Sequence, residues 1–177
     1  GVGRLPVRTL KGLPRDNSQA LQVVKKIISY DAVPAYGKWR NRITLVSDDG
    51  ESDLFVGAGS ELVAQSIQAD YPVYNVHKVY LDLYPQQAVA AGQRSPEANR
   101  AIDQSVEQGS LIINYLGHGG PKGWADEQLL TNASVLALRN PDNLPFFTTG
   151  TCDFSTYDNP DFPSPGAQIL PDHATGG

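Results

Sequence analysis

Cysteine occurs once in the 177 residues, as Cys152. One thiol cannot close an internal disulfide, so no cystine framework holds this chain or assigns it to an oxidising compartment. No apolar run approaches the roughly 20 residues of a membrane helix, and no signal-peptide pattern opens the sequence. Lys and Arg never cluster with interleaved aromatics, and 14 of them stand against 19 Asp and Glu for a net charge of -5. That balance argues against a nucleic-acid-binding surface. The three histidines, His77, His118 and His173, lie far apart, and neither His-x-x-x-His nor Cys-x-x-Cys spacing occurs, which leaves a metal hydrolase without ligands. Internal repeats, low-complexity tracts and heptads are missing as well.

What is present suits one soluble globular domain, with 40% hydrophobic and 19% charged residues. Residues 1–16 hold Gly3, Pro6, Gly12 and Pro14 and read as a leading strand or loop before a core spanning 17–160. Residues 161–177 read as an irregular tail. Gly1-Val2-Gly3 opens abruptly and Pro163 to Gly177 carries three prolines and three glycines, so both ends read as cuts.

Ala20, Leu21, Val23, Val24, Ile27 and Ile28 recur at helical spacing and predict a helix over 17–30, with Asp16, Asn17 or Ser18 as its cap. The run 43–47 predicts a buried strand ending in Asp48-Asp49-Gly50. A helix over 61–69 is expected to turn Leu62, Val63 and Ile67 inwards, and 73–83 reads as a second strand. Pro96 sits at a favourable first helical position, and that helix should stop at Gly109. Residues 111–116 form an apolar run leading into Gly117-His118-Gly119-Gly120; a helix is expected over 132–138, and 144–149 leads into Gly150-Thr151-Cys152-Asp153. Alternating strands and helices predict an α/β fold with an open, mostly parallel sheet covered by helices on both faces. In such sheets the loops beyond the carboxyl ends of the strands form the ligand crevice. Three of these loops carry Asp48/Asp49, His118 and Cys152.

An imidazole serves as general acid and base near neutral pH, and a thiol needs such a partner in space rather than in sequence. The glycines flanking His118 exceed what packing an imidazole requires and permit close approach of backbone or substrate. Gly57-Ala58-Gly59 is half a phosphate loop, without the lysine or third glycine that would complete it.

The motifs Asn-Tyr-Leu-Gly-His-Gly (114–119), followed by Trp124, and Leu-Pro-Phe-Phe-Thr-Thr-Gly-Thr-Cys (144–152) resemble the gingipain-type cysteine peptidases of the caspase-like clan. Gly-Arg-Leu-Pro-Val (3–7) and Asp-Asp-Gly-Glu-Ser-Asp (48–53) extend the likeness over nearly the whole chain. Within the family, Cys-Asp-Phe-Ser-Thr-Tyr-Asp (152–158) is most similar to the PorU-type sortases of the type IX secretion system. The resemblance implies a caspase-like fold, with Cys152 as nucleophile and His118 as acid and base. It further implies an oxyanion hole from the N–H groups of Gly119 and Cys152, and Asp49, or else Asp48, orienting the histidine. Asp53, Trp124 and Asp153 would contact substrate.

The same likeness implies cleavage of C-terminal sorting domains from secreted cargo, and transfer of that cargo to an anionic lipopolysaccharide through one thioester. Other secretion-system proteins would be partners, at the cell surface or outer membrane of a Gram-negative bacterium. No cofactor is required, and a structural calcium ion has room near Asp48-Asp49-Gly50. The family's domain continues with a further strand and helices after a Gly-Gly like 176–177, and Gly166-Ala167-Gln168 replaces its usual polar residues, so the specificity pocket is expected to be incomplete. The other readings are a gingipain-like protease without transfer activity and a catalytically silent caspase-like scaffold in a secretion assembly.

Overall fold

The structure, a computed structural model, describes Leu5, Val7 and residues 18–159 and 161–171. Most of the leading segment, the cap candidates Asp16 and Asn17, His173 and Gly176-Gly177 lie outside the described residues. The chain runs through α1 (Ser18–Tyr30), β1 (Arg42–Ser47), α2 (Leu62–Asp70), β2 (Asn75–Tyr80), β3 (Gln87–Val89), β4 (Gly92–Arg94), α3 (Pro96–Glu107), β5 (Ile112–Leu116), β6 (Gly119–Gly120), β7 (Gly123–Trp124), α4 (Asn132–Ala137), β8 (Phe146–Gly150) and α5 (Pro165–Gln168). No helix among the described residues is long and apolar enough to cross a membrane.

Four strands pair in the order β2-β1-β5-β8, all parallel. Helices cover both faces. Ala98, Ile102 and Val106 of α3 pack with Val46, Val79, Ile113 and Tyr115. Ala64 and Ile67 of α2 pack with Ile43, Leu45 and Tyr80 on the other side. This two-sided burial is why β1 reads as an unbroken apolar run and not as an alternating one. Gly109 adopts φ +88° just past α3, where a Cβ would be strained.

The elements depart from the sequence reading in four places. Leu62 and Val63 face solvent, at 58% and 45% exposure, because Ala64 and Ile67 supply the inward face of α2. The second strand ends at Tyr80, and a single 3-10 turn over Leu81–Leu83 follows it. The hairpin β3–β4 and the short hairpin β6–β7 were not foreseen. Within the stretch expected to be irregular, α5 forms, Ala167 and Ile169 are buried, and Lys26 Nζ donates to the Ile169 and Leu170 carbonyls at 3.1 Å each.

The strand order fixes where the crevice of the sheet lies. The chain passes from β1 outward to β2, then returns across to β5 and β8, so the direction of winding reverses between β1 and β5. The crevice of an open α/β sheet lies at such a switch point, beyond the carboxyl ends of the strands. Asp48 and Gly117-His118 begin there.

Burial, reinforced by the charge of Glu107 one turn on, lifts the Asp103 carboxyl of α3 from its ordinary 3.8 to about 6. Its Oδ1 has no partner among the described residues. The unfolded chain releases this proton more readily than the folded one, so Asp103 costs stability as pH rises from about 4 to 6, and the full cost is present above that. Asp103→Asn is therefore predicted to raise the melting temperature at pH 7.5, by about 1–3 kcal/mol of stability, with most of the gain gone at pH 4. Thermal melts across this range check it; an equal gain at both ends would contradict the cause given.

Candidate active site

Asp48 follows β1 directly and is buried, at 3% exposure. Its backbone N–H donates to the Leu116 carbonyl at 3.1 Å, which ties it to the end of β5. The carboxylate then faces His118 twice: Oδ2 accepts the His118 backbone N–H at 2.9 Å and lies 3.0 Å from Nδ1. Oδ1 accepts the Asp49 N–H at 3.0 Å. Burial pushes the Asp48 carboxyl up, and the two bonds from His118 oppose that rise. An acceptor at Nδ1 fixes the ring's orientation and its tautomer, leaving Nε2 for chemistry.

Asp48, not Asp49, is thus the residue placed against the histidine. The Asp49 side chain turns instead to Gln86, whose Nε2 donates to Oδ2. Asp48 is the residue whose backbone N–H pairs with the Leu116 carbonyl of β5, which brings its carboxylate to His118, whereas Asp49 lies one residue further along, where the chain bends.

Two other groups hold the ring. Phe55 meets it edge-on, with centroids 5.1 Å apart at 88°. Glu51 Oε1 lies 3.5 Å from Nε2. Gly50, Glu51, Ser52 and Asp53 occupy consecutive left-handed conformations, with φ of 77°, 50°, 50° and 73°, a costly path for three residues bearing Cβ atoms. This turn curls the chain back so that Glu51 reaches the histidine. Nothing in the sequence beyond Gly50 signalled it.

Cys152 is exposed and free. Its position follows from register. Leu116 of β5 pairs with Gly150 of β8, so His118 and Cys152 each stand two residues beyond paired strand ends, on neighbouring strands about 4.8 Å apart. The Gly117 N–H donates to the Gly150 carbonyl at 3.3 Å. A Cβ at Gly119 would lie 2.3 Å from Thr151 Oγ1 and 3.3 Å from the Cys152 carbonyl oxygen, so the two loops touch at Gly119. The glycine is required by that approach.

Trp124 does not line this surface. It is fully buried, stacked on Tyr115 at 4.4 Å and 7° and packed on Phe154. Beyond His118 the hairpin β6–β7 folds the chain back, so that Trp124 enters the core beneath the histidine as a floor for the site. Asp53 accepts the Gly57 N–H at 2.8 Å and so ties down the turn ahead of α2. Asp153 is exposed beside Cys152, at φ +49°. Gly59, half of the incomplete phosphate loop, is small because a Cβ there would strike Leu116 Cδ2 at 2.3 Å. His77 is a packing histidine: Nδ1 lies 3.2 Å from Ser105 Oγ, and burial, then Arg42, holds its pKa down.

Glu127, a residue the sequence reading passed over, is also buried here. One carboxylate oxygen each from Asp48, Asp49 and Glu127 lie within 4.8 Å of one another. Burial pushes the Glu127 carboxyl up, and the charges of Asp49, Asp48 and Asp126 add to that.

Gly117 shows how tightly this corner is built. A Cβ there would sit 2.3 Å from the Asp48 Cβ and 2.5 Å from the Tyr115 hydroxyl, whereas one at Gly120 would meet nothing within 4 Å. Gly117→Ala is predicted to cost about 1–3 kcal/mol through overpacking, roughly 2–4 °C in melting temperature per kcal/mol at this size. Gly120→Ala should stay within about 0.5 kcal/mol of the parent. Equal melts for the two variants would contradict the placement of Asp48 against Gly117.

Among solved structures, the chain is similar to the Arg-specific cysteine proteinase gingipain R, RgpB, at 18% identity and a TM-score of 0.65, covering 93% of this chain and 36% of that one. A complex of the Porphyromonas gingivalis RgpB pro- and mature domains matches at 17% identity and a TM-score of 0.67, covering 93% and 37%. The chain thus spans about a third of these structures' length, and it shares their caspase-like fold. No curated protein sequence matches it. Residues 1–177 match Peptidase family C25 over their whole length, and the chain belongs to that family of cysteine peptidases.

Proposed function

We propose that the protein is a cysteine endopeptidase in which Cys152 attacks and His118 carries the proton. The register that sets both residues two positions beyond paired strand ends carries this reading. The sulfur adds to a scissile carbonyl, whose developing oxyanion lies against the N–H groups of Gly119 and Cys152. His118 Nε2 gives its proton to the leaving amine, and a thioester on Cys152 remains. Asp48 keeps the ring oriented throughout and holds charge near the imidazolium. Glu51, exposed and only 3.5 Å from Nε2, must move aside for the ring to serve the reacting groups. An exposed ion pair of this kind costs under about 1 kcal/mol to open.

The thioester is open to water or to another nucleophile, so hydrolysis and transfer share every earlier step. The run from Cys152 to Asp158 resembles the PorU-type sortases, and on that basis we favour transfer. The substrate would then be secreted cargo with a C-terminal sorting domain, the acceptor an anionic lipopolysaccharide, and the place of action the outer surface of a Gram-negative cell among other secretion-system proteins.

Intact-mass labelling with peptidyl acyloxymethyl ketones bearing different P1 residues tests the reading. We predict one adduct, on Cys152, formed at least 100-fold more slowly in His118→Ala and up to threefold faster in Glu51→Ala, as expected for an exposed ion pair. Absence of labelling by every probe in the intact protein would favour a silent scaffold. Product masses in the presence of an added amine separate transfer, which yields an amide, from hydrolysis, which yields only the acid.

A further inference from the structure

We infer that a cavity beside His118 is the subsite for the substrate residue directly after the scissile bond, and that Gly120 leaves it open to a large uncharged side chain. The inference rests on the peptidase reading above. The cavity measures about 370 Å³ and is bounded by His118, the hairpin β6–β7 and the turn that follows it. Its size lies within the roughly 300–1,000 Å³ of small-ligand pockets. Among the described residues, none of the Cys152 loop lines it. Cys152 takes the acyl half of the substrate, and His118 Nε2 meets the leaving amine. The peptide beyond that amine therefore passes His118 on the side away from Cys152, where the cavity opens.

Gly120 supplies an independent observation. Four glycines stand at 117, 119, 120 and 123, and contacts account for three of them. A Cβ would strike Asp48 and Tyr115 at Gly117 and Thr151 at Gly119; at Gly123 it would lie 2.6 Å from the Leu129 carbonyl oxygen, where φ is also +156°. Gly120 has no positive φ, and a Cβ there would meet nothing within 4 Å. Neither packing nor conformation calls for glycine at this position. Gly120 does line the cavity, and a side chain there would take space that glycine leaves to a ligand.

The walls decide which ligand fits. Main chain of the glycines, the Pro121 ring and Ala125 form them, with exposed Lys122 and Asp126 at the rim. The two rim charges oppose one another, so neither sign is favoured. An aromatic or branched aliphatic side chain gains most from leaving water against such walls. The hairpin is braced in advance: Gly119 pairs with Trp124 and Gly120 with Gly123, while the Ala125 N–H donates to the His118 carbonyl at 2.9 Å and the Tyr115 hydroxyl donates to the same oxygen. A preformed wall binds without the cost of ordering a loop.

The experiment uses the purified intact protein and quenched fluorescent peptides that differ only in the residue after the scissile bond: Gly, Glu, Lys, Leu or Phe. The residue before that bond is the one favoured by the ketone probes. The readout is kcat/KM, which covers only the steps up to the thioester and so is the same for hydrolysis and transfer. The Leu and Phe peptides are expected to exceed the Gly peptide at least tenfold, with Glu and Lys within about threefold of Gly. Gly120→Ala should lower the Phe-to-Gly ratio about threefold, and Gly120→Val should abolish it. If Gly120→Val fails to fold, Gly120→Ala decides. A parent without the preference, or variants that keep it in full, would overturn the subsite. A peptidyl chloromethyl ketone, which carries only chloride beyond its reactive carbon, separates the two failures. Labelling of Cys152 without the preference, or without cleavage of any peptide, overturns the subsite alone, whereas neither labelling nor cleavage overturns the peptidase reading with it.

Discussion

The geometry of the candidate site traces back to the pairing of three parallel strands that end at nearly the same level. Ser47, Leu116 and Gly150 stand abreast at the carboxyl ends of β1, β5 and β8. The next residues must leave the sheet on the same side. A one-residue slip of β5 against β1 would turn Ile113 and Tyr115 out of the core and carry His118 away from Asp48. The buried side chains that enforce register therefore also enforce the site. Packing and chemistry share one constraint, which is why glycine is required at 117 and 119, where the loops leaving the strands touch.

Charge is the second organising element. Asp48 and Glu51 flank one imidazole, with Asp49 and Glu127 beside Asp48, and burial together with mutual repulsion makes ionisation of Asp48 and Glu127 harder than in water. The left-handed run at 50–53 adds strain in the loop that bears Glu51. Buried, mutually repelling carboxylates beside a left-handed turn cost stability, a pattern that recurs at functional sites. The tightly packed floor of Tyr115, Trp124 and Phe154 lets the corner tolerate this cost.

Much of this was legible from the residues. The continuous apolar runs at 43–47 and 111–116 signalled parallel strands buried on both faces, and the helix ending at Gly109 carried its own stop signal. The position of His118 and Cys152 beyond strand ends was readable from the apolar runs before them, and the structure sets each two residues past the paired Leu116 and Gly150. Other features depended on distant contacts. Asp48 and Asp49 are adjacent and chemically alike; only pairing with β5 decides which of them faces the histidine. Trp124 follows the histidine motif closely and looks available to a substrate, yet the turn at Pro121-Lys122 sends it into the core. Glu51 reaches the ring through a backbone conformation that its residue types do not favour. Glu127 sits in an unremarkable Asp-Glu-Gln turn, and nothing local reveals that it is buried.

The central claim is that the aligned strand ends make His118, held by Asp48, the chemical partner of Cys152. The most direct measurement is the second-order rate of Cys152 alkylation by iodoacetamide at pH 7, in the parent, Asp48→Ala and His118→Ala proteins. The account predicts that the rate falls at least tenfold in both variants and by a similar factor in each, because one residue acts through the other. A Cys152 that reacts equally fast in all three proteins would contradict it.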